Sequence, residues 1–151
     1  MKQRKNRSRG FTLIEALLVL LVVSTFILLP TLAMSSWQQT LEKRFFYYQL
    51  DKSILHLQQL AIANQTSTRI DLYPDKQVIV FFTNREVLPW REMKLPKPVV
   101  LTGEHSIRFK AKTGNVSSTQ PGTGIPNIRF KEGQTTVLYQ FQLGSGRFEK
   151  K

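Results

Sequence analysis

The sequence predicts an α+β fold, with one long N-terminal helix packed on a small antiparallel β-sheet head. Three observations carry that prediction. No proline or glycine interrupts residues 31–73. Up to about Asn64, apolar residues recur every three or four positions, the spacing of a helix face. Beyond Asn64 the period falls to two and proline and glycine appear, as in short strands joined by turns.

The helix begins behind an unusual flank. Residues 1–10, MKQRKNRSRG, hold Lys2, Arg4, Lys5, Arg7 and Arg9 and no acid. They supply +5 of a formal +12, leaving 17 basic against 10 acidic residues, or +7, in 11–151. Ala16–Trp37 then runs for 22 residues without a charge, close to the roughly 20 that a helix needs to cross hydrocarbon. The basic flank puts the N-terminus on the cytoplasmic side and the rest of the chain outside. A cleaved signal peptide, with a cut near Thr31-Leu32-Ala33, and a permanent signal anchor both share this pattern. Glu15 argues against both, because an acid inside an apolar helix costs roughly 2.5–3.5 kcal/mol on insertion scales and normally has a partner. Pro30 removes one backbone donor and is expected to kink the helix, with Ser24 and Thr25 compensating in part.

From Ser35 the helical pattern becomes amphipathic. Trp37, Leu41, Phe45 and Tyr48 recur at helical steps, and Leu50, Ile54, Leu57 and Ala61 continue the series as a face for the head. A helix from Phe11 to near Asn64 is ~81 Å long at 1.5 Å per residue. The run Phe45-Phe46-Tyr47-Tyr48 cannot point one way, so one or two of its rings belong in the core and the others meet neighbouring molecules. After Asn64, Thr68–Tyr73 alternates, Pro74-Asp75-Lys76 turns, and Gln77–Thr83 completes a hairpin. Residues 84–98 read as a connection, Val99–Thr102 and Ser106–Lys112 as strands, and 113–127 as a loop. Ile128–Phe130, a Glu132-Gly133 turn and Thr135–Leu143 close the sheet, giving some six strands. The expected divisions are therefore 1–10, a basic leader; 11–34, a membrane-spanning or fibre-core helix; 35–64, its amphipathic continuation; and 65–151, the head.

Composition excludes several functions. Without cysteine there is no disulfide scaffold, zinc ribbon or thiol chemistry, and His56 and His105 stand apart without ligand-like neighbours. No acid pair or Ser/His/Asp grouping suits catalysis, so the chain is expected to be neither an enzyme nor a binder of a metal, cofactor or small-molecule substrate. Leu143-Gly144-Ser145-Gly146-Arg147-Phe148 resembles a phosphate loop only superficially, lacking the lysine and the following helix. Arg108, Lys110, Lys112, Arg129, Lys131 and Arg147 make the last third basic and could attract phosphates without specificity.

The string Arg9-Gly10-Phe11-Thr12-Leu13-Ile14-Glu15 resembles the processing signal of type IV pilins and pseudopilins: basic leader, glycine, aromatic residue, and glutamate five positions after the glycine. The resemblance implies cleavage between Gly10 and Phe11 by a membrane prepilin peptidase and methylation of the new Phe11 amine. It also implies pairing of Glu15 with the N-terminal amine of a neighbouring subunit, and local unwinding near Pro30. That proline lies two residues earlier than the one pilins often carry. Implied partners are other major and minor pilin subunits, the peptidase, the assembly ATPase with its membrane platform, and the membrane itself. The implied location is the cell membrane, single-pass with the head outside, then a surface filament. The small cysteine-free head and the Gly-Arg tail are most similar to minor competence pseudopilins of Gram-positive bacteria, which implies a role in uptake of extracellular DNA, whether its contact with DNA is direct or indirect. A pseudopilus of a type II-like protein secretion system and a simple membrane-anchored basic binding protein are the alternatives.

Overall fold

A computed structural model describes residues 12–83, 90–103, 106–118 and 126–151, without the side chains of 29–33 and 35. The expected cleavage and methylation positions, Gly10 and Phe11, lie outside the described residues, as do parts of 84–98 and 113–127. The chain divides into two compact units, Met1–Gln38 and Gln39–Lys151.

Helix α1 spans Leu13–Ala63. Thr12 starts it: its carbonyl accepts from the amides of Glu15 and Ala16, and its hydroxyl accepts from Glu15 at 3.4 Å. Thr12-Leu13-Ile14-Glu15 thus has the spacing of a capping box, with an acid in the first turn where the helix dipole favours it. Within the first unit the apolar side chains are open, with Leu13 80% and Phe26 75% exposed. The backbone remains helical through Pro30. Ser24 and Thr25 do not relieve that proline. Their hydroxyls donate one turn back to the Leu20 and Leu21 carbonyls, at 2.7 and 2.8 Å, and leave the Phe26 carbonyl opposite Pro30 untouched. Among the described residues no helix is long and apolar enough to cross a membrane. The expected span 11–34 includes Phe11 and side chains outside that set.

The two apolar runs read from the sequence as one face lie on different faces. Phe46, Tyr47, Leu50, Ile54, Leu57 and Ala61 are buried, whereas Leu41, Phe45, Tyr48, Leu55 and Ile62 are exposed. The reason is the step from Tyr48 to Leu50. Two residues rotate a helix by about 200°, so the series changes sides there. Of the four adjacent aromatics, Phe46 and Tyr47 enter the core while Phe45 and Tyr48 point away.

Nine strands follow among the described residues: β1 (Thr68–Tyr73), β2 (Val78–Thr83), β3 (Glu92–Lys94), β4 (Val100–Thr102), β5 (Ser106–Phe109), β6 (Val116–Ser118), β7 (Asn127–Glu132), β8 (Thr135–Phe141) and β9 (Phe148–Lys150). They form two antiparallel sheets rather than one, in the orders β3-β2-β1-β5-β6 and β4-β7-β8-β9. A parallel bridge, Val116 to Leu143, joins them. Alternation fills one core: Ile70, Leu72, Ile79, Phe81, Ile107 and Phe109 from the first sheet meet Leu101, Ile128, Phe130, Tyr139 and Phe141 from the second, with α1. The helix end is held by the β5–β6 turn, where the Lys112 amide donates to the Ala61 carbonyl at 3.0 Å. The Thr68 hydroxyl donates to the Leu57 carbonyl at 3.0 Å.

Glu132, at the end of β7, ties the second sheet to α1. Its carboxylate accepts from the Lys43 ammonium at 2.8 Å and from the Tyr47 hydroxyl, while Lys150 lies 3.9 Å from the Tyr47 ring centroid. Burial alone would raise the Glu132 pKa, but the hydrogen bonds from Lys43 and Tyr47 and the charges of Lys43 and Lys150 outweigh it and hold it below its ordinary value. Burial, then hydrogen bonding to Glu132, pushes the Tyr47 phenol up. The Tyr139 phenol is pushed up as well, by burial and then by the Asp51 carboxylate, which acts on it from outside hydrogen-bond geometry. A depressed carboxylate stabilises the fold above its unfolded pKa, and that contribution disappears as pH falls through the folded value. A raised phenol does the reverse, and its contribution is lost as pH rises past the unfolded value. Urea unfolding followed across pH is therefore expected to show stability falling below about pH 4.5 and again above about pH 10. Glu132→Gln should flatten the acid limb and weaken the alkaline limb only in part, because burial of Tyr47 and Tyr139 remains, and an unchanged acid limb would exclude Glu132 as its source.

Candidate functional site

The expected assembly residue Glu15 sits in the first turn of α1 with its side chain exposed, in the middle of an open apolar surface. No hydrogen bond or ion pair of its carboxylate is present among the described residues. Within the second unit, Leu41, Phe45, Tyr48 and Leu55 are also exposed on the helix. Large apolar side chains exposed on successive turns constitute an interaction surface by size alone.

The six basic residues singled out in the sequence fall in four places. Arg108, in β5, points outward from the five-stranded sheet. Lys110 and Lys112 belong to the β5–β6 turn, and Arg147 to the β8–β9 turn. Arg129 and Lys131 alternate outward on β7 in the second sheet. The structure brings Arg129 together with Lys131, and Lys110 with Lys112, and does not gather all six.

It gathers a different set around Arg108. The pairing places Arg69 of β1 between Phe82 of β2 and Arg108 of β5. The Arg69 guanidinium lies 4.8 Å from the Phe82 ring centroid, and Arg91, just before β3, lies 5.0 Å from it. Arg69 also pairs with Asp71 at 3.0 Å, and Asp71 accepts from the Ser106 hydroxyl at 2.5 Å. Two grooves flank the ring. One, of about 530 Å³, is lined by residues including Tyr73, Lys76, Phe82 and Arg91; the other, of about 330 Å³, includes Arg69, Phe82, Thr83 and Arg108. Arg69, Phe82 and Arg91 escaped sequence reasoning because they become neighbours only through register. The outward phase of Arg69 in the alternating Thr68–Tyr73 was the one available signal. Among the described residues, no group of three or more His, Asp or Glu side chains could hold a metal ion.

Residues 5–29 match the prokaryotic N-terminal methylation motif. Over almost its whole length the chain is similar to a competence protein, ComGD of Streptococcus pneumoniae (strain ATCC BAA-255 / R6). The two are 25% identical over 146 residues, covering 97% of this chain and 81% of the relative. No solved structure matches. The motif, the helix-plus-sheet architecture and the near-full-length likeness together support a type IV pilin similar to ComGD.

Proposed function

We propose that this chain is a minor pilin of a competence type IV pilus, required for binding or uptake of extracellular DNA in transformation. The observation that carries the reading is the coincidence of an N-terminal methylation motif at 5–29 with similarity to a competence protein across nearly the whole chain. In this reading residues 1–10 are removed by a prepilin peptidase after Gly10, and Phe11 becomes the methylated N-terminus. The helix through residue 34 anchors the subunit in the membrane until assembly moves it into a filament core, and the head stands outside. Removing five cations frees the segment from the cytoplasmic face and exposes an amine. Glu15 pairs with that amine on a neighbouring subunit, because two opposite charges in a low-dielectric core are far better placed together than apart. Pro30 gives the helix a position with one fewer internal bond, where it can unwind on packing. The exposed Leu41, Phe45, Tyr48 and Leu55 of the second unit support further contact with neighbouring pilins.

Mass analysis of the mature protein tests the processing step: an N-terminus at Phe11 with one added methyl is expected, and an end near Ser35 or no cleavage overturns the reading. Glu15→Ala should be cleaved normally and yet be absent from sheared filaments, whereas normal incorporation would exclude the pairing role. Deleting the gene should abolish transformation and leave exoprotein levels unchanged. Normal DNA uptake with reduced exoprotein would instead assign the subunit to a protein-secretion pseudopilus.

A further inference from the structure

The outer face of the five-stranded sheet carries chemistry that the processing and Glu15-pairing steps above do not involve. Arg91, Phe82, Arg69 and Arg108 form a row across neighbouring strands, with Phe82 between two guanidinium groups. Adjacent strands are about 4.8 Å apart, so the segment from Phe82 to Arg108 spans roughly 10 Å. Asp71 is committed to Arg69 and Ser106, and among the described residues neither Arg91 nor Arg108 has an ion-pair partner. The grooves beside Phe82 give a chain room to pass on both sides of the ring. A planar guanidinium fork matches a phosphate in a bidentate manner, and an aromatic ring among cations offers a stacking surface to a base. An acidic peptide would use the cations and leave the ring unused. A wall polymer of sugar or glycerol phosphates would do the same.

We propose that this row is a DNA-contact site: Arg91 and Arg108 bind successive phosphates, and Phe82 stacks with a base of a single-stranded segment. A base arriving on Phe82 replaces one of the two guanidinium groups that cover it, and the displaced group turns to the neighbouring phosphate. The identity of the ligand rests on the competence reading above, whereas the chemistry of the row does not.

Fluorescence anisotropy of labelled oligonucleotides, with the full-length protein in detergent, tests the site. Arg91→Gln/Arg108→Gln is expected to weaken binding about tenfold or more and to lower the salt slope by about 2, near one unit per lost phosphate contact. Arg44→Gln/Lys97→Gln removes the same charge at exposed positions elsewhere and should change affinity by less than about twofold. Phe82→Leu should weaken single-stranded binding and spare duplex binding. Three results would overturn the site: equal losses in the two double variants, a larger loss from Arg129→Gln/Lys131→Gln, or poly(glycerol phosphate) competing as well as DNA. Incorporation of each variant into sheared filaments is measured alongside. A wild-type protein that assembles but fails to bind DNA defeats this site alone, whereas one that fails to assemble defeats the pilin reading.

Discussion

Phe130→Ala is expected to destabilise the head by about 3–5 kcal/mol, the range for removing a fully buried aromatic ring. Phe130 is completely buried and sits at the centre of a ring cluster. Its centroid lies 5.6 Å from Phe46, 5.7 Å from Tyr47 and 5.8 Å from Tyr139, with interplanar angles of 87°, 80° and 85°. Edge-to-face pairs of this kind add roughly 0.5–1.5 kcal/mol each beyond the burial of area. Phe46 and Tyr47 come from α1 and Phe130 and Tyr139 from the second sheet, so the cavity would open where helix and sheet meet. Against a typical total of about 5–15 kcal/mol the loss is severe. Urea unfolding of the full-length protein in detergent measures it, with Phe130→Leu, which keeps most of the volume, expected to cost less than about 2 kcal/mol. A loss under about 1 kcal/mol for the alanine variant would contradict the central placement of this ring.

The second large effect belongs to a residue with no side chain. Gly146, in the β8–β9 turn, has φ of +68°, and a Cβ there would press on the Gly114 carbonyl oxygen and on Gln58 Nε2, well inside van der Waals contact. The obstruction is backbone in the β5–β6 turn, so it cannot rotate away. The same Gln58 amide donates to the Ser145 carbonyl at 2.9 Å and to the Gly114 carbonyl at 3.3 Å, holding both turns on the helix. Gly146→Ala is expected to cost about 2–4 kcal/mol, combining left-handed strain with overpacking. Gly144 offers the comparison. Its φ is +91°, but nothing lies within 4 Å of a built Cβ, so Gly144→Ala should show only the strain, about 1–2 kcal/mol. Equal losses in the two variants would refute the steric account.

These two residues illustrate what a single sequence reveals and what it hides. The glycines of the tail were visible in the sequence, but not the third partner, Gln58, that makes Gly146 obligatory. Periodicity exposed β1 and β2 because Thr68–Tyr73 alternates and Pro74-Asp75-Lys76 turns. It missed β3, β6 and β9, each three residues long and too short to show a period. Those strands exist because Met93 registers with Ile79, Val116 with Phe109, and Phe148 with Phe141, pairings made at a distance. The split into two sheets was hidden for the same reason, as was the Arg91-Phe82-Arg69-Arg108 row. By contrast, the Gly10-Phe11-Glu15 spacing is local and linear, which is why the family resemblance could be read at the N-terminus without any fold.

The attachment of α1 to the head has a mechanical consequence. The buried stretch from Phe46 to Ala61 covers about 24 Å of helix, and tie points flank it: Lys43 and Tyr47 to Glu132 at one end, Gln58 to Ser145 and Ala61 to Lys112 at the other. Tension applied through the N-terminal end of the helix cannot peel this joint one residue at a time. It must slide all of the interlocked side chains together, so the load is shared along the seam and the joint resists in shear. Within Gln39–Lys151, therefore, a pull along this stretch of helix loads the head as one block rather than turn by turn.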